Sequence, residues 1–554
     1  MARGRKKRRK LMMARGSLAV TAKWEGTRGS YLTNIPPVDE SRIDEVEVFS
    51  IREPYAYARI VYDRTNAEYI YEVWEPKLEE REQQLLDSVK DALMRILEYE
   101  WEKMAAKDKE EYLKEAIESF VKTRGLKLEP ATREKLDYYI IRDFVGYGPI
   151  DSLIADSRIE DVSCDGVGIP LFIFHQKFES VKTTVVFPDD DVLNNFVVSL
   201  GQRCGKQISV AAPILDGTSW EGHRVQATYA REVTTRGSSF TIRRFKENPF
   251  TPVELVKFGT SSSDMVAYIW IAVEHGKSMM VCGGTASGKT ATLNSAALFI
   301  RPGAKIVSIE DTREINLPHE NWIPGTTRSG IGERGMDGKA PGEIDMYDLV
   351  RAALRQRPNY IIVGEVRGKE TYTMFQAMAT GHPTMSTMHA DSVKSMVNRL
   401  ENPPINTPRI LLTALNFVVI QKHARVGDST VRRITQIVEL VGFEPETNEL
   451  ITNTVYEWDP ATDSFLYKGH SFLFDEIMEM KNMTHEEMEE EFQRRVDIIN
   501  YMLEKNLTHF RDIARIVVSY YQYPEETAKR IRDEMGWVRE SRSAGELPGG
   551  ETIG

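Results

Sequence analysis

Apolar and polar positions alternate from residue 43 to 75 (Val46-Glu47-Val48-Phe49, Ala58-Arg59-Ile60-Val61-Tyr62), the period of half-buried strands. From Lys77 to Arg124 the spacing changes to threes and fours (Leu85, Val89, Leu93, Ile96, Leu97), which predicts helix. A further helix is expected over 131–145, ended by Gly146-Tyr147-Gly148-Pro149. Strand patterns return at 171–174, 183–187 and 240–245, and Asn248-Pro249 reads as an interdomain link. From Thr251 the order is helix, apolar strand, glycine loop, helix, strand, the alternation of a parallel sheet. After about Asp475 the pattern is helical again (492–503, 509–520). The layout expected is a basic, flexible segment 1–40, an α+β domain 41–246 that is helical over 77–145, and a hinge at 247–252. An α/β domain 253–475, a helical segment 476–540 and a tail 541–554 complete it.

Composition narrows the class. With 41% hydrophobic and 28% charged residues in 554, sizeable cores are expected and global disorder is not. A net charge of −11 argues against a general nucleic-acid binder. The charge is uneven: seven of the first ten residues are Lys or Arg, whereas 479–491 is mostly acid. Cys164, Cys204 and Cys282 lie far apart with no CxxC pair, so neither a disulfide framework nor a cysteine zinc site is expected, and a reducing interior fits best. The longest apolar stretch, 265–273, falls short of the ~20 residues that span a bilayer. No apolar core follows the basic N-terminus, as it would in a signal peptide.

The glycine loop reads Gly283-Gly284-Thr285-Ala286-Ser287-Gly288-Lys289-Thr290, a G-x-x-x-x-G-K-[ST] match between an expected strand (278–282) and an expected helix (291–300). Roughly 0.02 chance matches are expected in a chain this long. Glycines let backbone N–H groups converge on phosphate oxygens, and the helix N-terminus behind them favours negative charge. Lys289 is placed to reach the β- and γ-phosphates of ATP, and the Thr290 hydroxyl to bind Mg²⁺.

Such a site also needs carboxylates for the metal and the attacking water. Two apolar strands end in acid. The first leads into Glu310-Asp311-Thr312-Arg313-Glu314, the second into Gly364-Glu365-Val366-Arg367. Ligands of open α/β sheets bind beyond the carboxyl ends of strands, so both sets point toward the phosphates. Glu365 occupies the place of a Mg²⁺-supporting acid, and Glu314 is the candidate for polarising the water.

With these blocks in place, residues 140–530 resemble the secretion ATPase superfamily of type II secretion, type IV pilus and archaellum motors. Glu310-Asp311-Thr312-Arg313-Glu314 is similar to that family's Asp box, whose last acid is catalytic, which implies the role for Glu314. Val363-Gly364-Glu365-Val366-Arg367 resembles its Walker B, with Glu in place of Asp. The stretch Thr380-Gly381-His382-Pro383-Thr384-Met385-Ser386-Thr387-Met388-His389-Ala390-Asp391-Ser392 resembles its His box, which implies that His382 and His389 sense the γ-phosphate. Residues 342–391 are most similar to archaeal members, especially the archaellum motor ATPase. There is no four-cysteine insertion of the bacterial type II kind, and residues 1–75 match no named module.

The resemblance implies a RecA-like P-loop ATPase core in a homo-hexameric ring. It further implies a polytopic membrane platform protein as partner, and a cytoplasmic place at the inner face of the membrane. Arginines that complete the site are sought among Arg224, Arg236, Arg243 and Arg244 upstream of the link, and Arg313 and Arg367 in the motif loops. The basic N-terminus is a candidate for anionic lipid. No nucleic-acid partner is expected. Readings from other classes are a nucleic-acid translocase and a scaffold that binds ATP without hydrolysing it.

Overall fold

The alternation over residues 43–75 produces an antiparallel meander of β1 (Ile43–Arg52), β2 (Ala56–Asp63) and β3 (Glu68–Trp74). These strands belong to a computed structural model that describes residues 29–96, 106–328, 330, 339–427, 429–444, 446–447 and 449–536. The basic run at the N-terminus and the tail 541–554 lie outside the described residues. The chain divides after Phe245 into two compact units.

In the first unit the meander continues into β4 (Ile159–Cys164), β5 (Pro170–His175), β6 (Glu179–Val186), β7 (Ile214–Thr218), β8 (Arg224–Thr228) and β9 (Ser239–Arg243). The order is β1-β2-β3-β6-β5-β4-β9-β8-β7, and the β3–β6 pair is parallel. The stretch read as helical over 77–145 is three helices, α1 (Glu80–Ile96), α2 (Ala106–Thr123) and α3 (Pro130–Phe144). Leu86, Val89 and Leu93 on α1, Leu113 and Ile117 on α2, and Leu136 and Ile140 on α3 recur every three or four residues and share one core. A fourth helix, α4 (Asp190–Arg203), is capped by the Asp189 side chain and buries Leu193, Val197 and Leu200 under the sheet.

The second unit is built on β10 (Met279–Gly283), β11 (Ile306–Glu310), β12 (Trp322–Thr326), β13 (Tyr360–Val363), β14 (Thr384–Met388), β15 (Phe417–Val426), β16 (Ser429–Phe443), β17 (Leu450–Asp459) and β18 (Ser464–Tyr467). Their order is β12-β11-β13-β14-β10-β15-β16-β17-β18. Pairings from β12 to β15 are parallel and those from β15 to β18 antiparallel. The α/β expectation holds for the parallel part, and the antiparallel extension adds to it.

The central strands are apolar throughout because both faces are covered. Alternate residues go to different cores: Met279, Val281, Ile362 and Val419 to one, Met280, Cys282, Ile361 and Val418 to the other. The first core takes α5 (Ser263–Glu274) and α6 (Lys289–Ala297), and the second α7 (Met346–Leu354), α8 (Glu370–Ala379) and α9 (Val393–Glu401). The C-terminal helices α10 (Phe472–Lys481), α11 (His485–Glu504), α12 (Phe510–Gln522) and α13 (Pro524–Met535) also enter the first core, through Phe474, Ile499, Ile513 and Ile531. There Trp270 is fully buried and stacks on Phe299 at 4.7 Å.

The candidate hinge at 247–252 is fastened within this unit. Asn316 Nδ2 donates to Glu247 O (2.7 Å), Ser295 Oγ to Phe250 O (2.7 Å), and the Phe510 N–H to Asn248 Oδ1 (3.2 Å).

Candidate functional site

The loop 283–290 leaves the carboxyl end of β10 and opens α6. Two of its glycines are forced by geometry. Gly288 has φ +97°, and a Cβ there would sit 2.9 Å from Gln421 Nε2. A Cβ on Gly283 would lie 2.4 Å from Gln421 O and 2.5 Å from Ser287 Oγ. At Gly284, by contrast, nothing lies within 4 Å of such a Cβ, so that face of the loop is open.

Inside the loop, Ser287 Oγ and Lys289 Nζ both donate to Gly284 O at 2.9 Å. Thr285 and Ala286 are exposed at its crown, and Thr290 is half-buried in the first turn of α6. The antiparallel hairpin props the loop from the side. Thr292 Oγ1 donates to Gln421 Oε1 on β15 (2.8 Å), and Arg432 Nε on β16 donates to Ala286 O (3.0 Å).

The two acid loops lie side by side, because β11 and β13 are parallel neighbours with Ile309 opposite Val363. Burial holds the Lys289 ammonium below its ordinary value, while the nearby carboxylates of Glu365 and Glu314 pull it back up. One lysine therefore shares its electrostatic surroundings with both candidate acids. Glu365 Oε2 pairs with Arg367 Nη2 at 2.8 Å, and Thr387 Oγ1 on β14 donates to Gly364 O at 2.7 Å, tying down the turn that presents Glu365.

Glu310, the last residue of β11, is buried, and burial pushes its carboxyl up to about 7. Its Oε1 accepts the N–H groups of Glu314 (2.9 Å) and Ile315 (3.0 Å).

The two histidines do not come together. His389 follows β14 at the carboxyl edge and lines a cavity of about 900 Å³ with Glu365 and Arg367. His382 precedes β14, so five strand residues at ~3.3 Å each put it roughly 17 Å away, at the opposite edge of the sheet. Its Nδ1 lies 3.4 Å from Thr380 Oγ1.

Among the candidate arginines, Arg367 reaches Glu365 and lies 3.8 Å from Asp311, and Arg313 stacks over the Trp322 ring at 5.2 Å. Arg224, Arg236, Arg243 and Arg244 belong to the first unit. There Arg224 pairs with Asp216 (3.7 Å), Arg244 donates to Ile159 O (2.7 Å), and Arg243 stands opposite Arg224 across β8 and β9. Arg236 O accepts the Val167 N–H (3.3 Å).

The donors available to a metal are the Thr290 hydroxyl and the Glu365 carboxylate. Mg²⁺ keeps most of its waters and takes one or two protein oxygens, and a hydroxyl with a carboxylate is the hard-oxygen chemistry it takes. Among the described residues no group of three or more His, Cys, Asp or Glu could hold a metal ion. Sequence reasoning passed over Gln421, Arg432 and the structural part of Glu310. The signal for the first was a glutamine closing the apolar run Phe417-Val418-Val419-Ile420.

A glycine loop on a parallel sheet, with two acid-bearing turns beyond β11 and β13 at the same edge, is the arrangement of a P-loop nucleotide site. The chain belongs to the type II/IV secretion system protein family, whose family model matches residues 149–534. A second family model, PilB3-like N-terminal, matches residues 2–77, the part that had matched no named module. Relatives include an uncharacterized protein of Methanocaldococcus jannaschii, 36% identical over 402 residues, covering 72% of this chain and 71% of that one. The type IV secretion system protein PtlH of Bordetella pertussis is 29% identical, covering 45% and 80%. Among solved structures, the VirB11 ATPase of the Brucella suis type IV secretion system is similar at 23% identity and TM-score 0.27, covering 52% of this chain and 91% of that one.

Proposed function

We propose that the chain is an ATP-hydrolysing motor, working as a homo-hexameric ring, that powers an archaeal type IV pilus-like filament through a polytopic membrane platform protein. The observation that carries this is the glycine loop opening α6 at the carboxyl end of the parallel sheet, where β11 and β13, side by side, lead into the turns of Glu314 and Glu365. Lys289 neutralises phosphate charge, and the backbone N–H groups at the start of α6 hold the phosphate oxygens. Thr290 and Glu365 are the residues that would hold Mg²⁺, which would supply positive charge against the phosphates. Glu314 orients the attacking water and takes its proton, giving ADP and phosphate. Arg367 is the nearest described arginine to the Glu365 carboxylate and is the favoured site-completing cation.

Between an archaellum motor and a pilus assembly or secretion ATPase, the PilB3-like match over residues 2–77 favours the second. Among the described residues no helix is long and apolar enough to cross a membrane, so membrane work is assigned to the platform protein, with the basic N-terminus as a contact to anionic lipid. The test is phosphate release per chain against protein concentration, with mass read in parallel by sedimentation. The ring reading expects the rate to rise as hexamers form and lipid vesicles to lift it. A concentration-independent rate from a monomer would remove the ring.

A further inference from the structure

An enclosed carboxyl at the root of the turn that carries Glu314 needs a reason, since burying a polar group without partners is costly. Glu310 is 2% exposed. Its Oε1 holds two consecutive N–H groups, those of Glu314 and Ile315, and its own carbonyl accepts the Thr327 N–H at 3.0 Å. The side chain therefore folds back to close the turn that follows its own strand. Its Cγ packs on the neighbouring turn as well: a Cβ added to Gly364, the residue before Glu365, would come within 3.1 Å of it. Glu310 Oε2 is buried with no hydrogen-bond partner among the described residues. The carboxyl thus spends its bonding on one arm, aimed at the backbone of Glu314.

We propose that Glu310 is a positioning residue for hydrolysis, which fixes the backbone of Glu314 and, by packing on Gly364, the height of the turn that carries Glu365. The proposal rests on the reading of Glu314 as the acid that orients water. The physical case is one of tolerance. A reacting group displaced by ~1 Å can lose about 100-fold in rate while binding is untouched. Glu314 is four residues beyond the end of β11, and the Glu310 carboxylate ties it back to that rigid strand. An aspartate here falls one methylene short of both N–H groups, whereas glutamine keeps a carbonyl oxygen at the same reach.

The test is steady-state kinetics of Glu310→Met, Glu310→Gln and Glu310→Asp in the full chain, each also made with Glu314→Gln. Met keeps the length and volume without an acceptor. It is expected to lower kcat about 100-fold and leave KM for ATP within about twofold, while Gln keeps at least about a third of kcat. With Glu314→Gln already present, Met should cost nothing further, because Glu310 acts through Glu314.

Asp decides the matter if Met fails to fold: it keeps the carboxyl group at a shorter reach and is expected to lose kcat nearly as Met does. Wild-type kcat in Met or Asp, a loss in KM rather than kcat, or an added loss on top of Glu314→Gln would overturn the positioning role. Full turnover by Glu314→Gln alone would instead sink the water-orienting reading, which keeps the two failures apart.

Discussion

Gly288→Ala and Gly284→Ala should behave in opposite ways, although both sit in one eight-residue loop. At Gly288 an L-residue must adopt φ +97°, which costs roughly 1–2 kcal/mol. The added Cβ, 2.9 Å from Gln421 Nε2, must also displace that amide and weaken its bond to Thr292, worth about 1 kcal/mol. The sum is about 2–3 kcal/mol, or roughly a 30- to 150-fold shift in the folding equilibrium. At Gly284 nothing lies within 4 Å, so stability should stay within about 0.5 kcal/mol. The new methyl group there projects into the open face assigned to phosphate, so ATP affinity should fall at least about tenfold, near 1.4 kcal/mol. Urea titration gives the first quantity and a fluorescent ATP analogue the second. A Gly288→Ala protein as stable as wild type, or a Gly284→Ala protein that binds ATP normally, would refute the loop account.

Stability should also depend on pH through Glu310. In the folded chain its carboxyl holds a proton up to about pH 7 against an ordinary value of 4.5, so folding takes up a proton between those values. Stability therefore falls as pH rises through that window, by up to about 3 kcal/mol, and levels off above it. Glu310→Gln should flatten this slope, read from urea midpoints across the window. Arg432→Ala removes the 3.0 Å bond to Ala286 O and should weaken ATP binding by about 1 kcal/mol, near fivefold, with little change in urea midpoint. An unchanged affinity would show that the hairpin does not brace the loop.

Much of the site was legible because its chemistry is local in sequence. Gly283–Thr290 needs only a strand before and a helix after, and the two acid loops announce themselves as apolar runs ending in carboxylates. What was hidden depends on distant strands. Gln421 and Arg432 reach the loop because β15 lies beside β10 and β16 folds back on β15, pairings that no spacing in the sequence reveals. His382 and His389 read as one box, yet the strand between them carries them to opposite edges of the sheet. The helical stretch 77–145 had the right period, but three helices share its core. The antiparallel extension β16–β18 was missed because its alternation is broken by register shifts at Ile437/Val438 and Leu440/Gly442.

The most direct test of the central claim is phosphate release from ATP and Mg²⁺ by wild type, Lys289→Ala and Glu314→Gln, with nucleotide binding measured on the same samples. The account predicts turnover by wild type and loss of binding and turnover together in Lys289→Ala. It predicts that Glu314→Gln binds ATP but hydrolyses it at least about 100-fold more slowly. Wild-type turnover by either variant would contradict it.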